Sequence, residues 1–79
     1  MKVLFFAQCR EAAGCPDYFL KVEEPVMESE FWARLVDALP GLAPHRTAAR
    51  LSRHETYLPN DAWLYPGDEI AVIPPVSGG

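Results

Sequence analysis

The C-terminal heptapeptide IPPVSGG, residues 73–79, contains the most distinctive reactive group in this sequence, its terminal carboxylate. Pro74 and Pro75 each fix φ at about −65° and favour an extended path, so the chain would leave the preceding strand as a semi-rigid projection. The small residues that follow, ending in Gly78 and Gly79, would let the backbone enter a narrow channel. The pattern predicts a projecting tail over 74–79 that presents its carboxylate to another protein's active centre.

A terminal carboxylate must be activated before it accepts a nucleophile, because its negative charge resists attack. Joining it to AMP from ATP forms a mixed anhydride, from which a sulfur nucleophile can displace AMP to leave a thiocarboxylate or thioester. Gly79 suits this chemistry because no Cβ hinders the reacting carbon. We therefore expect a carrier that is not catalytic alone. An activating enzyme would consume ATP to form the glycyl adenylate at Gly79, and no cofactor would stay bound.

The other residues whose side chains could take part in a reaction are expected to have structural roles. Asp68 is expected in a tight turn before a strand, with Glu69 at the strand edge. Cys9 and Cys15 are expected to be free thiols, and neither is expected to carry the transferred sulfur. The serines lack the flanking glycines of a nucleophile elbow, and the histidines do not stand at zinc-ligand spacing from the cysteines. The serines are Ser29, Ser52 and Ser77, and the histidines are His45 and His54.

Composition indicates a single domain over 1–79, near the lower size limit for one hydrophobic core. The net charge of −4 and the scattered arginines argue against nucleic-acid binding. No apolar run approaches the roughly 20 residues that cross a bilayer, and the N-terminal MKVLFFAQCRE lacks a secretory cleavage pattern. We expect a cytoplasmic protein that binds neither nucleic acid nor membrane.

Two strands are predicted at the N-terminus. KVLFFA, residues 2–7, is apolar on both faces and lacks Gly and Pro, and YFLKV, residues 18–22, has a similar composition. Gly14 and Pro16 interrupt the pattern between them. The sequence predicts a hairpin with a long loop.

An amphipathic helix of about ten residues is predicted within residues 23–42. Its apolar positions recur every four residues, at Phe31, Leu35 and Leu39. We expect Ser29 or Glu28 to cap its start and Pro40 with Gly41 to end it.

The C-terminal half predicts short elements separated by turns. Residues 43–50 indicate a short turn or irregular helix, and residues 50–58 have strand-like composition. Turns are expected at 59–61 and 66–68, followed by a final strand over 69–73.

This order of elements predicts an α+β fold, the β-grasp (ubiquitin-like) arrangement, with a mixed sheet and one main helix packed across one face. The first and last strands would be parallel neighbours. The helix-facing side of the sheet would hold Val3, Phe5, Leu58, Ile70 and Val72.

Strand alternation then leaves Phe6, Tyr57 and Ile73 on or near the opposite face, beside the tail. An apolar patch in that place predicts a docking surface for a partner protein. We expect the partner to contact these three residues and the tail beyond them: Pro74, Pro75, Val76 and Ser77.

The segments KVLFFAQCREAAG and YPGDEIAVIPPVSGG resemble the molybdopterin synthase small-subunit family, the β-grasp sulfur carriers of molybdenum-cofactor biosynthesis. The resemblance covers the whole chain and is specific at its two ends, where members look like FFAxxRExxG and GDEVAxxPPVxGG. The chain departs from the family at His54, where an Asn is common.

The resemblance implies that Gly79 is adenylated by an E1-like enzyme and converted to the thiocarboxylate by a sulfurtransferase system. The tail would then enter the large synthase subunit and donate sulfur to cyclic pyranopterin monophosphate. In this family two small subunits flank a dimer of large subunits, forming a heterotetramer.

Other functions remain open from the sequence. A carrier of the same fold could serve thiamine or cysteine synthesis, although thiamine-type carriers usually lack the Pro pair. A ubiquitin-like modifier would conjugate Gly79 to lysines, and a passive binding module would not use the tail.

Overall fold

The computed structural model describes residues 1–75, so the predicted contacts and carrier residues Val76, Ser77, Gly78 and Gly79 lie outside the described residues. The elements, in chain order, are β1 (Lys2–Phe5), α1 (Ala7–Ala13), β2 (Asp17–Phe19), β3 (Val26–Met27), α2 (Glu28–Ala38), a 3₁₀ helix (Pro40–His45), β4 (Arg50–Arg53), β5 (Thr56–Tyr57), β6 (Trp63–Leu64) and β7 (Glu69–Ile73).

The main sheet has the strand order β2-β1-β7-β4-β5, and β3 pairs with β6 in a separate ribbon. Strand β1 is antiparallel to β2 and parallel to β7, with Val3 opposite Ile70 and Phe5 opposite Val72. The mixed sheet and its parallel first and last strands are therefore confirmed.

One face of the sheet is covered, because alternate strand residues join the core with α2. The buried residues include Val3, Phe5, Leu58, Ile70 and Val72 from the sheet side, as predicted, and Phe31, Trp32 and Leu35 from α2. The rings of Phe31 and Trp32 meet edge to face at 5.9 Å.

The predicted N-terminal loop is wrong, because residues 7–13 form α1. Ala, Gln, Arg and Glu favour a helix, and Gly14 ends it in the left-handed region at φ 81° while its N–H bonds the Arg10 carbonyl at 3.0 Å. The β1–β2 pairing survives, but its connection is a helix. Strand β2 also ends at Phe19, earlier than the predicted 18–22.

Helix α2 has the predicted length, but its predicted capping is wrong. Met27 is the N-cap and makes no side-chain capping bond, while Glu28 and Ser29 lie inside the first turn. Pro40 ends α2 and opens the 3₁₀ helix, which starts before the segment 43–50 where a turn or irregular helix was expected and covers only its beginning, residues 43–45.

Residues 50–58 form a hairpin in which β4 and β5 are joined by His54 and Glu55. Both loop residues have positive φ, 54° and 62°, the signature of a type I′ turn. Asn is favoured in this conformation, so the turn explains why an Asn suits position 54 and shows that His54 can take its place.

Within residues 1–75, every helix falls short of the length and apolar character that a membrane span requires.

Candidate functional site

The tail leaves the fold from β7, which lies between β1 and β4 in the middle of the sheet. Ile70 and Val72 are fully buried and anchor this strand, whereas Ile73 is half-buried. Pro74 is half-buried and Pro75 is exposed. The central position of β7 fixes the point at which Pro74 and Pro75 leave the sheet.

The start of β7 is held by an ion pair. The Arg53 guanidinium Nη1 donates to Asp68 Oδ2 at 2.7 Å and to the Trp63 carbonyl at 3.1 Å. The same Asp68 oxygen accepts from the Tyr65 amide at 2.9 Å, which closes the predicted turn. Asp68 thus has two functions, turn formation and linkage of that turn to β4.

A groove at the tail exit lies between α1 and the end of β7. Its lining includes Phe6, Arg10, Cys15, Ile73, Pro74 and Pro75. The Phe6 amide donates to the Val72 carbonyl at 3.3 Å, and the Phe6 carbonyl accepts from the Cys9 amide at 3.0 Å. The end of β1 therefore connects the exit strand directly to α1.

Ala7 turns the chain from β1 into α1 with φ 49°, a conformation that non-glycine residues rarely adopt. Such strain persists only where surrounding contacts determine it. Here it places Arg10 and Cys15 beside the exit, two residues that the sequence did not predict for the site. The Ala-rich run before Gly14 was the signal that could have found them.

The uncovered face of the sheet brings Phe6, Tyr57 and Ile73 together in one shallow depression. The side chains of Phe6 and Tyr57 are large, and the residues are 47% and 50% exposed. Leu4 and Ala71 line the same depression, and the Arg50 guanidinium carbon stands 4.4 Å from the Tyr57 ring centroid. The facing predicted from strand alternation is correct, and the binding role remains a prediction.

Both cysteines are free thiols. Cys9 is completely buried, and this burial raises the pKa of its thiol by disfavouring the thiolate. Because the thiolate is the reactive form, Cys9 is a poor nucleophile at neutral pH. Cys15 is half-buried at the exit groove, where its Sγ lies 3.9 Å from the Ala13 carbonyl oxygen.

Among residues 1–75, His, Cys, Asp and Glu side chains do not gather into a group of three or more that could hold a metal ion. The described residues place an apolar surface beside the end of β7.

Comparison with known sequences finds relatives whose similarity extends over the whole length of this chain. The model of the ThiS family matches residues 3–79. The molybdopterin synthase sulfur carrier subunit of Arabidopsis thaliana is 38% identical over 79 residues, covering 100% of this chain and 82% of that protein. The human subunit of the same name is 35% identical over 82 residues, covering 100% and 93%.

Solved structures give the same fold. SAMP1 from Haloferax volcanii superposes with a TM-score of 0.83 at 26% identity, covering 100% of this chain and 98% of that one. A second Haloferax volcanii structure, described as small archaeal modifier protein 1, gives a TM-score of 0.80 at 25% identity, with 96% of this chain and 97% of that one covered. The putative molybdopterin converting factor subunit 1 from Pyrococcus furiosus gives 0.79 at 20% identity, with 95% of each chain covered, and shows the fold alone.

Proposed function

Because this chain belongs to the ThiS family, we propose that it is a sulfur carrier that acts as the small subunit of a molybdopterin synthase. The observation that carries the proposal is its identity, over its full length, to sulfur carrier subunits of that synthase in Arabidopsis thaliana and Homo sapiens.

The first step activates the tail. A Gly79 carboxylate oxygen attacks the α-phosphorus of ATP, forming a C–O–P linkage and releasing pyrophosphate. A sulfur nucleophile then attacks the carbonyl carbon, and AMP leaves with the bonding pair. The nucleophile is the outer sulfur of a persulfide on the sulfurtransferase, so an acyl disulfide forms. A second thiol attacks the donor's sulfur, forms a disulfide with it and releases Gly79 as a thiocarboxylate.

The second step delivers the sulfur. The thiocarboxylate enters the large subunit and transfers its sulfur to cyclic pyranopterin monophosphate, and water restores the carboxylate oxygen as the carbon–sulfur bond breaks. A dithiolene contains two sulfur atoms, so two loaded carriers are required. Gly78 and Gly79 act here as the reagent, while the catalytic groups belong to the enzymes that receive the tail.

The fold supports this function by holding the tail at a defined exit. Strand β7 is paired on both sides, and Pro74 and Pro75 extend its direction by roughly 3 Å per residue. The apolar face carrying Phe6, Tyr57 and Ile73 adjoins that exit and is the contact that we assign to the large subunit.

We assign three protein partners to the cycle: the large subunit, an adenylating enzyme of the E1 type and a sulfurtransferase. The cytoplasm, where thiols stay reduced, suits the free Cys9 and Cys15.

The test is intact-mass measurement after incubation of the chain with its adenylating enzyme, ATP and a sulfur source. We expect replacement of one oxygen atom by sulfur, lost when Gly79 is deleted and retained in Cys15→Ser. Sulfur uptake that survives deletion of Gly79, or its absence from the full chain, would contradict the proposal.

The likeness to the structure described as small archaeal modifier protein 1 supports a second candidate, conjugation of Gly79 to lysines. Denaturing gels of lysates from the native host, probed for this chain, distinguish a protein modifier from a sulfur carrier. A ladder of covalent conjugates that requires Gly79 supports a modifier, whereas a single band together with thiocarboxylate formation supports the carrier alone.

A further inference from the structure

A second exposed apolar surface lies on the β3–β6 ribbon, away from the main sheet. Met27 and Trp63 stand directly opposite each other across this ribbon, and the residues are 39% and 49% exposed. We call this pair, with the groove beside it, the Met27–Trp63 surface. The groove shares no lining residue with the one at the tail exit.

The ribbon holds Trp63 in a fixed place. Its neighbour Leu64 is fully buried, and the Trp63 carbonyl accepts a hydrogen bond from the Arg53 guanidinium at 3.1 Å. At the other strand, the Glu28 amide donates to the Ala62 carbonyl at 3.1 Å. A half-exposed Trp on a positioned backbone is a preferred type of interface anchor, because it offers a large area at little entropic cost.

Carboxylates border this surface. The groove is lined by Glu23, Glu24 and Glu30, and by Lys21 and Arg34. Both cations are already paired, Lys21 with Glu23 at 3.9 Å and Arg34 with Glu30 at 2.8 Å. Glu24 has no basic partner among residues 1–75, and Asp61 adds negative charge just before β6 begins.

The negative charge of this border determines which class of molecule can bind at the surface. A second copy of the chain would bring the same carboxylates against each other, and nucleic acid would bring phosphates, so both are disfavoured. A protein surface with an apolar centre and a lysine or arginine border complements the site in shape and charge.

We propose that the Met27–Trp63 surface docks a protein with a basic-bordered apolar patch, and that this protein is one of those that the carrier meets during sulfur loading or transfer. The choice of that set of proteins rests on the proposed function. Because the surface is separate from the tail exit, docking here leaves the tail and the Phe6 face free for an active site.

The test measures binding of the purified adenylating enzyme, sulfurtransferase and large subunit of the same host to the full chain and its variants. The variants are Trp63→Ala and Glu24→Lys, and the matched control is Asp37→Lys, the same type of charge reversal at an exposed position of α2 outside the groove. Glu24 is exposed in a loop, so its variant tests the surface even if Trp63→Ala impairs folding.

We expect one of the three proteins to lose about tenfold or more in affinity with Trp63→Ala and with Glu24→Lys, but not with Asp37→Lys. Its affinity should also fall as salt is raised. The inference is overturned if all three affinities survive both variants, if Asp37→Lys has the same effect, or if Trp63→Ala dissolves a homodimer. Since sulfur uptake at Gly79 is measured separately by mass, failure here is distinguishable from failure of the carrier function.

Discussion

The fold opposes the ionisation of the Glu28 carboxyl group. Burial at the junction of β3 and α2, followed by the negative charge of Asp61, raises the pKa of Glu28 above its ordinary value. The unfolded chain therefore loses this proton at lower pH than the folded one. Between those two pKa values the folded state binds more protons, so the contribution of Glu28 to the free energy of unfolding falls as pH rises.

Replacing this group gives a prediction at the residue scale. Glu28→Gln should be more stable than the parent near neutral pH, with the advantage disappearing as pH falls below the ordinary carboxyl range. Urea unfolding of both proteins from about pH 4 to about pH 7 measures it. Asp61→Asn should remove part of the same pH dependence. If Glu28→Gln is instead less stable at neutral pH, the N-terminus of α2 favours the carboxylate more than burial and Asp61 disfavour it.

At the scale of elements, the contact between α1 and the 3₁₀ helix determines how the exit groove is built. Gly41 faces the backbone of Ala12, and a Cβ at Gly41 would overlap the Ala12 carbonyl oxygen. The absence of a side chain is what allows these two helices to approach. Since α1 lines the exit groove, Gly41 helps to shape that groove although it is not among the residues that line it.

Gly41→Ala should therefore lower the free energy of unfolding by about 1–3 kcal/mol, because backbone atoms must move to admit the methyl group. Urea unfolding measures the loss. Gly67→Ala is the matched control: a Cβ there meets nothing within 4 Å, and we expect a change within about 0.5 kcal/mol. Equal effects of the two substitutions would show that the close approach at Ala12 does not limit the fold.

At the scale of the whole molecule, the sheet has one face covered by the core and one face open beside the tail. The open face presents Phe6 and Ile73 at the exit. Phe19 lies at the opposite end of this face, where its partner across the strands is Lys2 at the start of β1. A partner that takes the tail into its active site must lie against the exit end of this face. Distance from the exit should therefore decide which substitutions weaken binding.

Phe6→Asp and Ile73→Asp should leave the chain folded and reduce affinity for the large subunit by about tenfold or more, since each places a charge in an apolar contact. Phe19→Asp is the matched control, because Phe19 is the most exposed of the large apolar residues described, at 73%. Binding titrations and circular dichroism provide the two measurements. Unchanged affinity in a folded Phe6→Asp variant would remove Phe6 from the docking surface, and equal loss with Phe19→Asp would contradict its restriction to the exit end.

The sequence by itself determined the features that repeat along the chain. The alternation in β1 and β7 identified Val3, Phe5, Ile70 and Val72 as core, and the spacing of Phe31 and Leu35 identified the buried side of α2. Residues 73–79 led to the prediction of carrier chemistry, because the Pro pair and terminal glycines have local conformational meaning, and that chemistry stays a prediction.

Only the tertiary structure decided the short elements. Helix α1 spans seven residues and packs against the 3₁₀ helix, where Gly41 approaches Ala12. Strands β3 and β6 contain two residues each, fewer than a pattern needs, and they form because distant segments pair. A periodic pattern requires several turns or alternations to be recognised, whereas short elements are specified by long-range contacts. For that reason the core was predictable from the sequence, while the exit groove and the Met27–Trp63 surface were not.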